Sequence, residues 1–296
     1  MYSQIDSNKR KSWLLIALFV GLLAVVGYIY GYVTDTGYTG LILALFVSTG
    51  WTLISWYAGS SIALWSAGAV ELTDRAQFMT LWNAVENLAI TAGIPRPRIF
   101  IVEDPSPNAF ATGRDPQHAS VAVTTGLLQI LDKNELEGVL SHEMSHVKNF
   151  DTRLMILVAI LVGAIVMLGN WMFRGSLFGR RRSREGGGIL IILGILFILL
   201  APLVGELIKL AISRKREYLA DASGALLTRY PEGLASALEK IRDNASPIRS
   251  VSPATNHLWI SDPTAKSLGQ RAAGLFSTHP PINERIKLLR EMLEKP

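Results

Sequence analysis

The sequence has no cysteine, and this absence limits the chemistry that the protein can perform. Without thiols, a disulfide-stapled secreted module, a cysteine nucleophile and a cysteine-ligated zinc site are all excluded. Charge is also scarce, because Asp, Glu, Lys and Arg make up 18% of the 296 residues, whereas roughly a quarter of the residues in ordinary soluble domains are charged. Hydrophobic residues supply 49% of the chain, which excludes a disordered protein. This composition is typical of a membrane protein.

The positive charge lies beside apolar segments. The formal net charge is +5, and membrane proteins concentrate Lys and Arg next to their spans. Lys9, Arg10 and Lys11 precede the first apolar run, and an Arg-rich patch occupies residues 180–188. We interpret this patch as a solvated loop beside the membrane, with an RNA-binding or acidic-lipid patch as the alternative. No nucleic-acid partner is predicted.

Four apolar runs are long enough to cross a hydrocarbon core of roughly 30 Å as helices. They lie near residues 12–34, 40–59, 154–173 and 189–204. The first run has the basic flank of a signal sequence, but its length and the second run close behind it favour a retained span. For the third and fourth runs, a buried hairpin or a helix lying in the interface is the alternative.

The basic residues also predict an orientation. The positive-inside rule places residues 9–11 in the cytoplasm and the loop of residues 35–39, which has no Lys or Arg, outside. Residues from about 71 onward then lie in the cytoplasm. Two full crossings by the third and fourth runs would place the Arg-rich patch outside. Either the rule is broken there, or this hairpin does not cross completely.

The chain is therefore predicted to consist of four segments. Residues 1–70 form an N-terminal membrane hairpin, and residues 154–205 hold the third and fourth apolar runs with the Arg-rich loop. Residues 71–153 and 206–296 form two polar parts of one catalytic domain.

The first polar part is predicted to combine helices with a small sheet. Residues 73–91 have helical spacing of apolar side chains, and Gly93 with the prolines after it ends the helix. Residues 98–102 and 120–125 are rich in β-branched residues and are predicted to be strands. A short element at 108–112 lies between them. These elements predict a small mixed sheet packed against helices.

The next helix carries the most informative motif. It is predicted to begin at Asp132, with Glu135 completing a capping box. His142, Glu143 and His146 follow in the spacing HExxH. Residues at i and i+4 lie on one face of a helix, so both imidazoles can bind one Zn²⁺ while the glutamate accepts a proton from water. The motif also occurs by chance, and its alternative is two exposed helix histidines.

A catalytic zinc normally has a third protein ligand. Glu217 and Asp221 are also four residues apart on a predicted helix after the fourth apolar run. One carboxylate can bind the metal while the other accepts the second N–H of a ligand histidine. The alternative is an ordinary charged helix start at a membrane boundary. Because HExxH is present in the same chain, we favour the ligand interpretation.

Several segments together resemble the HtpX-type membrane metalloproteases, which are relatives of the CAAX prenyl endoproteases. The resemblance covers nearly the whole chain and includes the paired N-terminal spans. The matching segments are PNAFATG at 107–113, VAVTTGLL at 121–128, SHEMSHVKNFD at 141–151, SRKREYLAD at 213–221 and STHPPINERI at 277–286.

The resemblance implies an α+β fold of the zincin (gluzincin) type, mostly helical with a small mixed sheet and combined with about four transmembrane helices. It implies that one Zn²⁺ per chain is bound by His142, His146 and Glu217. Glu143 is then the general base and acid, and Asp221 supports a ligand histidine.

Two further residues, Asp151 and His279, match the family pattern. Asp151 either orients site residues or simply ends the polar part of its helix. The resemblance to the family implies that His279 donates a hydrogen bond to the oxyanion of the substrate, with Arg285 fixing the turn that holds it. The alternative is that His279 has no catalytic role and is an exposed residue at the start of an amphipathic helix.

The function predicted is zinc-dependent hydrolysis of peptide bonds by a multi-pass protein of the cytoplasmic membrane, with its catalytic domain in the cytoplasm. An extended substrate is expected to pair with an edge strand near Asn108, Ala109 and Phe110. The resemblance implies that the substrates are damaged or misfolded membrane proteins. The alternatives are a processing protease for a dedicated or lipidated peptide, and a non-catalytic membrane scaffold or transporter with a metal site.

Overall fold

The computed structural model describes residues 2–33, 35–178, 214–248, 258–261 and 280–294. The fourth apolar run, the Arg-rich patch and His279 lie outside these residues. The described part is mostly helical with one small mixed sheet.

The N-terminal hairpin consists of helices α1 (Tyr2–Val33) and α2 (Thr39–Ser66). Within the described residues, these two helices have the length and hydropathy of membrane spans. Large apolar side chains on them are exposed, as at Phe46 and Trp65, which suits contact with lipid. The first two predicted spans are therefore present as helices. The predicted total of four is not confirmed.

The sheet has four strands in the order β1-β2-β4-β3. Strand β1 (Ala69–Glu71) pairs antiparallel with β2 (Arg98–Val102), which pairs parallel with β4 (Ser120–Thr124). Strand β3 (Ala109–Thr112) pairs antiparallel with β4 and forms the edge. The two strands predicted from β-branched composition, 98–102 and 120–125, match β2 and β4 to within one residue, and the short element predicted at 108–112 contains β3. The sequence analysis missed β1, which directly follows α2.

Helix α3 (Met79–Ala92) is shorter at its start than the predicted 73–91. The backbone of Phe78 is not helical, and the carboxylate of Asp74 accepts a hydrogen bond from the N–H of Ala76, so a turn replaces the first predicted residues. The C-terminus agrees with the prediction. Gly93 there has φ of 69°, a left-handed conformation that glycine adopts without strain.

Helix α5 (Lys133–Lys148) follows the short helix α4 (Thr125–Ile130) and lies at the centre of the predicted catalytic domain. Its predicted capping box is present: Asp132 accepts from the backbone of Glu135, and Glu135 accepts from the backbone of Asp132. Helices α7 (Arg214–Thr228) and α8 (Pro231–Asp243) pack against it with α3, and α9 (Ile282–Glu294) packs against α7 and α8. A β-carbon on Gly138 would lie 2.6 Å from the backbone nitrogen of Leu234, so α5 and α8 approach closely.

Helix α6 (Asp151–Phe178) contains the third apolar run and joins the catalytic domain to the membrane hairpin. Buried side chains on α1 lie at helical spacing and pack against it. These residues are Asn8, Ser12, Leu15 and Phe19. Leu15 and Phe19 form one apolar cluster with Leu154 and Val158 of α6. The first membrane helix therefore lies directly against the helix that follows the HExxH motif.

Candidate metal centre and active site

The last two turns of α5 carry the motif into the interior. His142 and His146 are 1% and 4% exposed, and Glu143 is 2% exposed. The imidazole rings of His142 and His146 are perpendicular, and their Nε2 atoms are 3.1 Å apart. This burial excludes the alternative interpretation of the motif, in which both histidines are exposed on a helix.

Helix α7 brings Glu217 against both imidazoles. Its carboxylate oxygens lie 3.7 Å from Nε2 of His142 and 3.4 Å from Nε2 of His146. Tetrahedral Zn²⁺ with bonds of about 2.0–2.1 Å separates its ligand atoms by roughly 3.3 Å. The observed separations bracket this value, so the three side chains fit a zinc ion of this type. Among the residues that the structure describes, they form the group with metal-ligand geometry.

The Nδ1 atom of His142 is held by the other carboxylate of α7. It lies 2.8 Å from Asp221, and Arg285 of α9 donates two hydrogen bonds to the same carboxylate, at 2.7 and 2.9 Å. Arg285 also donates to the carbonyl of Ile260 at 3.2 Å. Because Nδ1–H of His142 is directed to Asp221, the lone pair of Nε2 is left for a metal.

The Nδ1 atom of His146 is held in the same way by a different residue. It lies 3.0 Å from Asp151, the first residue of α6. Asp151 is buried, so it is not merely a hydrated carboxylate at the membrane boundary. Of its two interpretations from the sequence, the contacts favour the orienting one.

Neighbouring charges set the protonation of His146 and of Asp221. Burial alone would lower the pKa of His146, but Glu217 and Asp151 outweigh it and raise the pKa to about 9. Burial alone would raise the pKa of Asp221, but Arg285 and His142 outweigh it and lower the pKa to about 2. Negative charge that holds a proton on His146 also favours a metal cation in its place.

Glu143 lies beside the histidines and faces the edge strand. Burial raises its pKa, while the two imidazoles and a hydrogen bond from the N–H of Ala111 favour its charged form. A glutamate with a raised pKa accepts and returns protons more effectively near neutral pH.

Residues 75–293 match Peptidase family M48. The chain belongs to this family. It is 46% identical to the Protease HtpX homolog of Dictyoglomus turgidum over 294 residues, which cover 99% of this chain and 95% of the relative. The Protease HtpX homolog of Tropheryma whipplei is 44% identical over 292 residues, covering 99% and 98%. The protein is thus a membrane metalloprotease of the HtpX type, as the sequence motifs predicted.

A solved structure shows the same fold. The crystal structure of Ste24p from S. mikatae superposes with a TM-score of 0.52 at 20% identity, covering 97% of this chain and 67% of that chain. At this identity the likeness concerns the fold alone.

The predicted substrate strand has neighbours of its own. The carbonyl of Ala109 accepts from the N–H of Ile260 at 2.9 Å, and the amide of Asn108 bonds to Ser261. The ring of Phe110 packs edge-on against Trp259 at 4.6 Å between centroids. Residues 258–261 therefore lie along the outer edge of β3 at this point. A substrate that pairs with β3, as the sequence predicts, would have to displace these residues or bind farther along the strand.

Sequence reasoning missed two contacts of the site. Arg285 was expected only to fix the turn of His279, which lies outside the described residues; within them, it contacts Asp221, Ile260 and Nδ1 of His142. The sequence analysis assigned no role to Asn8, yet its amide donates a hydrogen bond to Asp151 at 2.7 Å. No local pattern marks either contact, because the partners are 64 and 143 residues apart in the chain.

Proposed function

We propose that the protein is a zinc-dependent endopeptidase that cleaves damaged or misfolded membrane proteins at the cytoplasmic membrane. The observation that carries the proposal is the buried group of His142, His146 and Glu217, with Glu143 beside it. Two histidines and a glutamate leave a coordination position free, which is the arrangement of catalytic rather than structural zinc.

Each residue has a distinct role in the proposed reaction. His142, His146 and Glu217 hold Zn²⁺, which when bound polarises a carbonyl and makes water more acidic. Glu143 accepts the proton of the attacking water and transfers it to the leaving amine. Asp221 and Asp151 keep the Nδ1–H of each histidine directed away from the metal. His279, outside the described residues, is retained as the donor to the substrate oxyanion.

The substrate is proposed to lie along β3 in an extended conformation. Backbone pairing with an edge strand reads few side chains and therefore tolerates many sequences. Asn108, Ala109 and Phe110 remain part of this proposal, but Ile260 already bonds to Ala109. Ala111 is the residue of β3 whose N–H donates a hydrogen bond to Glu143, the proposed base.

The membrane hairpin supports the proposed location. The start of α1 contacts Asp151, and the end of α2 packs with the sheet through Leu64 and Ala67. Both outer ends of the hairpin therefore face the catalytic domain, and the loop after α1 lies at the opposite end. With residues 9–11 basic, the catalytic side is assigned to the cytoplasm. Anchorage beside the bilayer favours membrane proteins as substrates.

Cysteine labelling tests this orientation, because the chain has no native cysteine. Tyr38 and Lys133 are both exposed, one in the loop of the hairpin and the other on the catalytic domain. In intact cells, a membrane-impermeant maleimide should label Tyr38→Cys but should label Lys133→Cys only after permeabilisation. The reverse pattern contradicts the assigned orientation.

The Glu143→Gln variant tests the reaction. The amide preserves shape but accepts no proton, so purified full-length protein in detergent should retain one equivalent of zinc and lose casein cleavage. Glu217→Ala is the matched control, since it should lose zinc and activity together. Appreciable turnover by Glu143→Gln removes it as the base, and a full equivalent of zinc in Glu217→Ala removes the third ligand.

A further inference from the structure

The first turns of α1 reach the candidate metal centre from the membrane side. We propose that Asn8 is a positioning residue for His146, so that the first membrane helix supplies part of the support of the metal site. This inference rests on the proposed zinc site, because it treats His146 as a ligand. Asn8 acts through Asp151 and contacts neither substrate nor metal.

The geometry joins three residues in a row. Asn8 is 1% exposed, and its side-chain amide nitrogen lies 2.7 Å from Oδ1 of Asp151. The other oxygen of that carboxylate lies 3.0 Å from Nδ1 of His146. The amide also donates to the carbonyl of Asn149 at 2.9 Å, just beyond the end of α5. One side chain of α1 thus fixes both the carboxylate and the backbone that follows the ligand helix.

The chemistry of the contact explains why an amide is needed. An ionised carboxylate only accepts hydrogen bonds, so each of its buried oxygens requires a donor. Arg216 also approaches Oδ1 of Asp151, but its Nε is 3.8 Å away, beyond hydrogen-bond distance. Without Asn8 the carboxylate is free to rotate from His146. The imidazole then loses the partner that fixes its orientation.

The packing of α1 makes this contact depend on the membrane helix. Asn8 begins the buried stripe that continues through Ser12 and Leu15, and the apolar part of the stripe packs on α6. A shift of α1 along α6 would move the amide away from Asp151. The contact therefore couples the seating of the first membrane helix to the orientation of a metal ligand.

The zinc dissociation constant of full-length protein in detergent, measured by competition with a chelator, tests the proposal. Asn8→Ala should bind zinc about 10-fold more weakly, the lower end of the effect of removing a residue that supports a metal ligand. Ser12→Ala is the matched control. Ser12 is equally buried on the same helix face, but its hydroxyl bonds to the carbonyl of Asn8 and not to the site. Its zinc affinity should change by less than about twofold.

A double-mutant cycle distinguishes positioning from general destabilisation. In an Asp151→Ala background, adding Asn8→Ala should weaken zinc binding by less than about twofold further, because no side chain then links Asn8 to His146. A full additional loss overturns the proposal. So does folded Asn8→Ala with parental zinc affinity and only a lower melting temperature. A parent protein that binds no zinc defeats the proposed function instead, so the two failures are distinguishable.

An exchanged pair covers the case in which Asn8→Ala does not fold. Asn8→Asp nearly preserves shape but places a second carboxylate against Asp151, and should weaken zinc binding by more than about 10-fold. Combining it with Asp151→Asn restores one amide and one carboxylate in contact. The exchanged protein should bind zinc more tightly than Asn8→Asp alone but not at the parental level, because an amide instead of a carboxylate then faces His146. If it binds no better than Asn8→Asp alone, the proposal is wrong.

Discussion

The two histidines of the metal centre are supported by different regions of the molecule. His142 belongs to a protease-side network with Asp221 and Arg285, which lie on helices α7 and α9. His146 belongs to a membrane-side network with Asp151 and Asn8, which lie on helices α6 and α1. Each network consists of a histidine, a carboxylate and a donor to that carboxylate.

The networks differ in the charge of the last member. Arg285 is a buried cation with two hydrogen bonds to its carboxylate, whereas Asn8 is neutral and makes one. Charge-assisted, bidentate bonds are stronger than neutral single bonds, and losing one partner leaves a buried charge behind. The protease-side network should therefore contribute more to stability. The membrane-side network should contribute less to stability, and it depends on α1, which lies outside the catalytic domain.

Arg285→Met is expected to have the largest effect. It leaves the carboxylate of Asp221 buried without its cation, and breaking one side of a buried pair costs about 3–5 kcal/mol. Urea unfolding of the zinc-free protein in detergent measures this loss. Asp221→Asn combined with Arg285→Met should recover part of it, because no buried charge remains. A loss below that of Asn8→Ala would contradict the ranking of the two networks.

The two carboxylates provide the next comparison. Asp221→Asn and Asp151→Asn should each weaken zinc binding by about 10–100-fold, since each supports one ligand histidine. They should differ in stability. Asp221→Asn leaves Arg285 without the charge that it contacts at 2.7 Å, whereas Arg216 is 3.8 Å from Asp151. Equal losses of unfolding free energy would show that the Asp221–Arg285 and Asp151–Arg216 pairs contribute equally to stability. Chelator competition and urea unfolding on the same preparations give both quantities.

The local features of the fold could be predicted from the sequence. The capping box at Asp132 and the left-handed end of α3 at Gly93 depend on residues within one turn, so their patterns are visible in the chain. The start of α3 was misplaced because the carboxylate of Asp74 competes for the backbone there. Strand β1 was missed since three residues at the end of a membrane helix carry no alternation of their own.

In the candidate site, too, the contacts between residues close in the chain could be predicted, and those between distant residues could not. Four-residue spacing on a helix brings His142 to His146, and similar spacing suggested that Glu217 and Asp221 divide their tasks. The partners of the two carboxylates come from distant helices and depend on tertiary packing. An asparagine beside a basic flank or an arginine in an amphipathic helix has many ordinary explanations. The outer parts of both networks therefore required the structure.

Gly138→Ala probes the packing of the catalytic domain. Its added β-carbon would meet the backbone nitrogen of Leu234 at 2.6 Å and the carbonyl carbon of Gly233 at 2.8 Å. Backbone atoms cannot move aside locally, so α5 and α8 must separate. We expect a loss of about 1–3 kcal/mol in unfolding free energy, in spite of the better helix propensity of alanine. A stability equal to that of the parent protein would show that the two helices are not rigidly packed.

Gly59→Ala is the counterpart on the membrane side and should have the smallest effect. Its β-carbon would meet the tip of the Ile160 side chain at 2.8 Å and Ile156 at 3.1 Å. Both neighbours are flexible side chains on α6, so a rotamer change can relieve the contact, and we expect a change of less than about 1 kcal/mol. Thermal unfolding in detergent measures it. Zinc affinity should also stay at the parental value, because Asp151 lies more than one helical turn before Ile156. If this substitution weakens zinc binding as much as Asn8→Ala does, the site senses the packing of both membrane helices, and the support of His146 is not confined to α1.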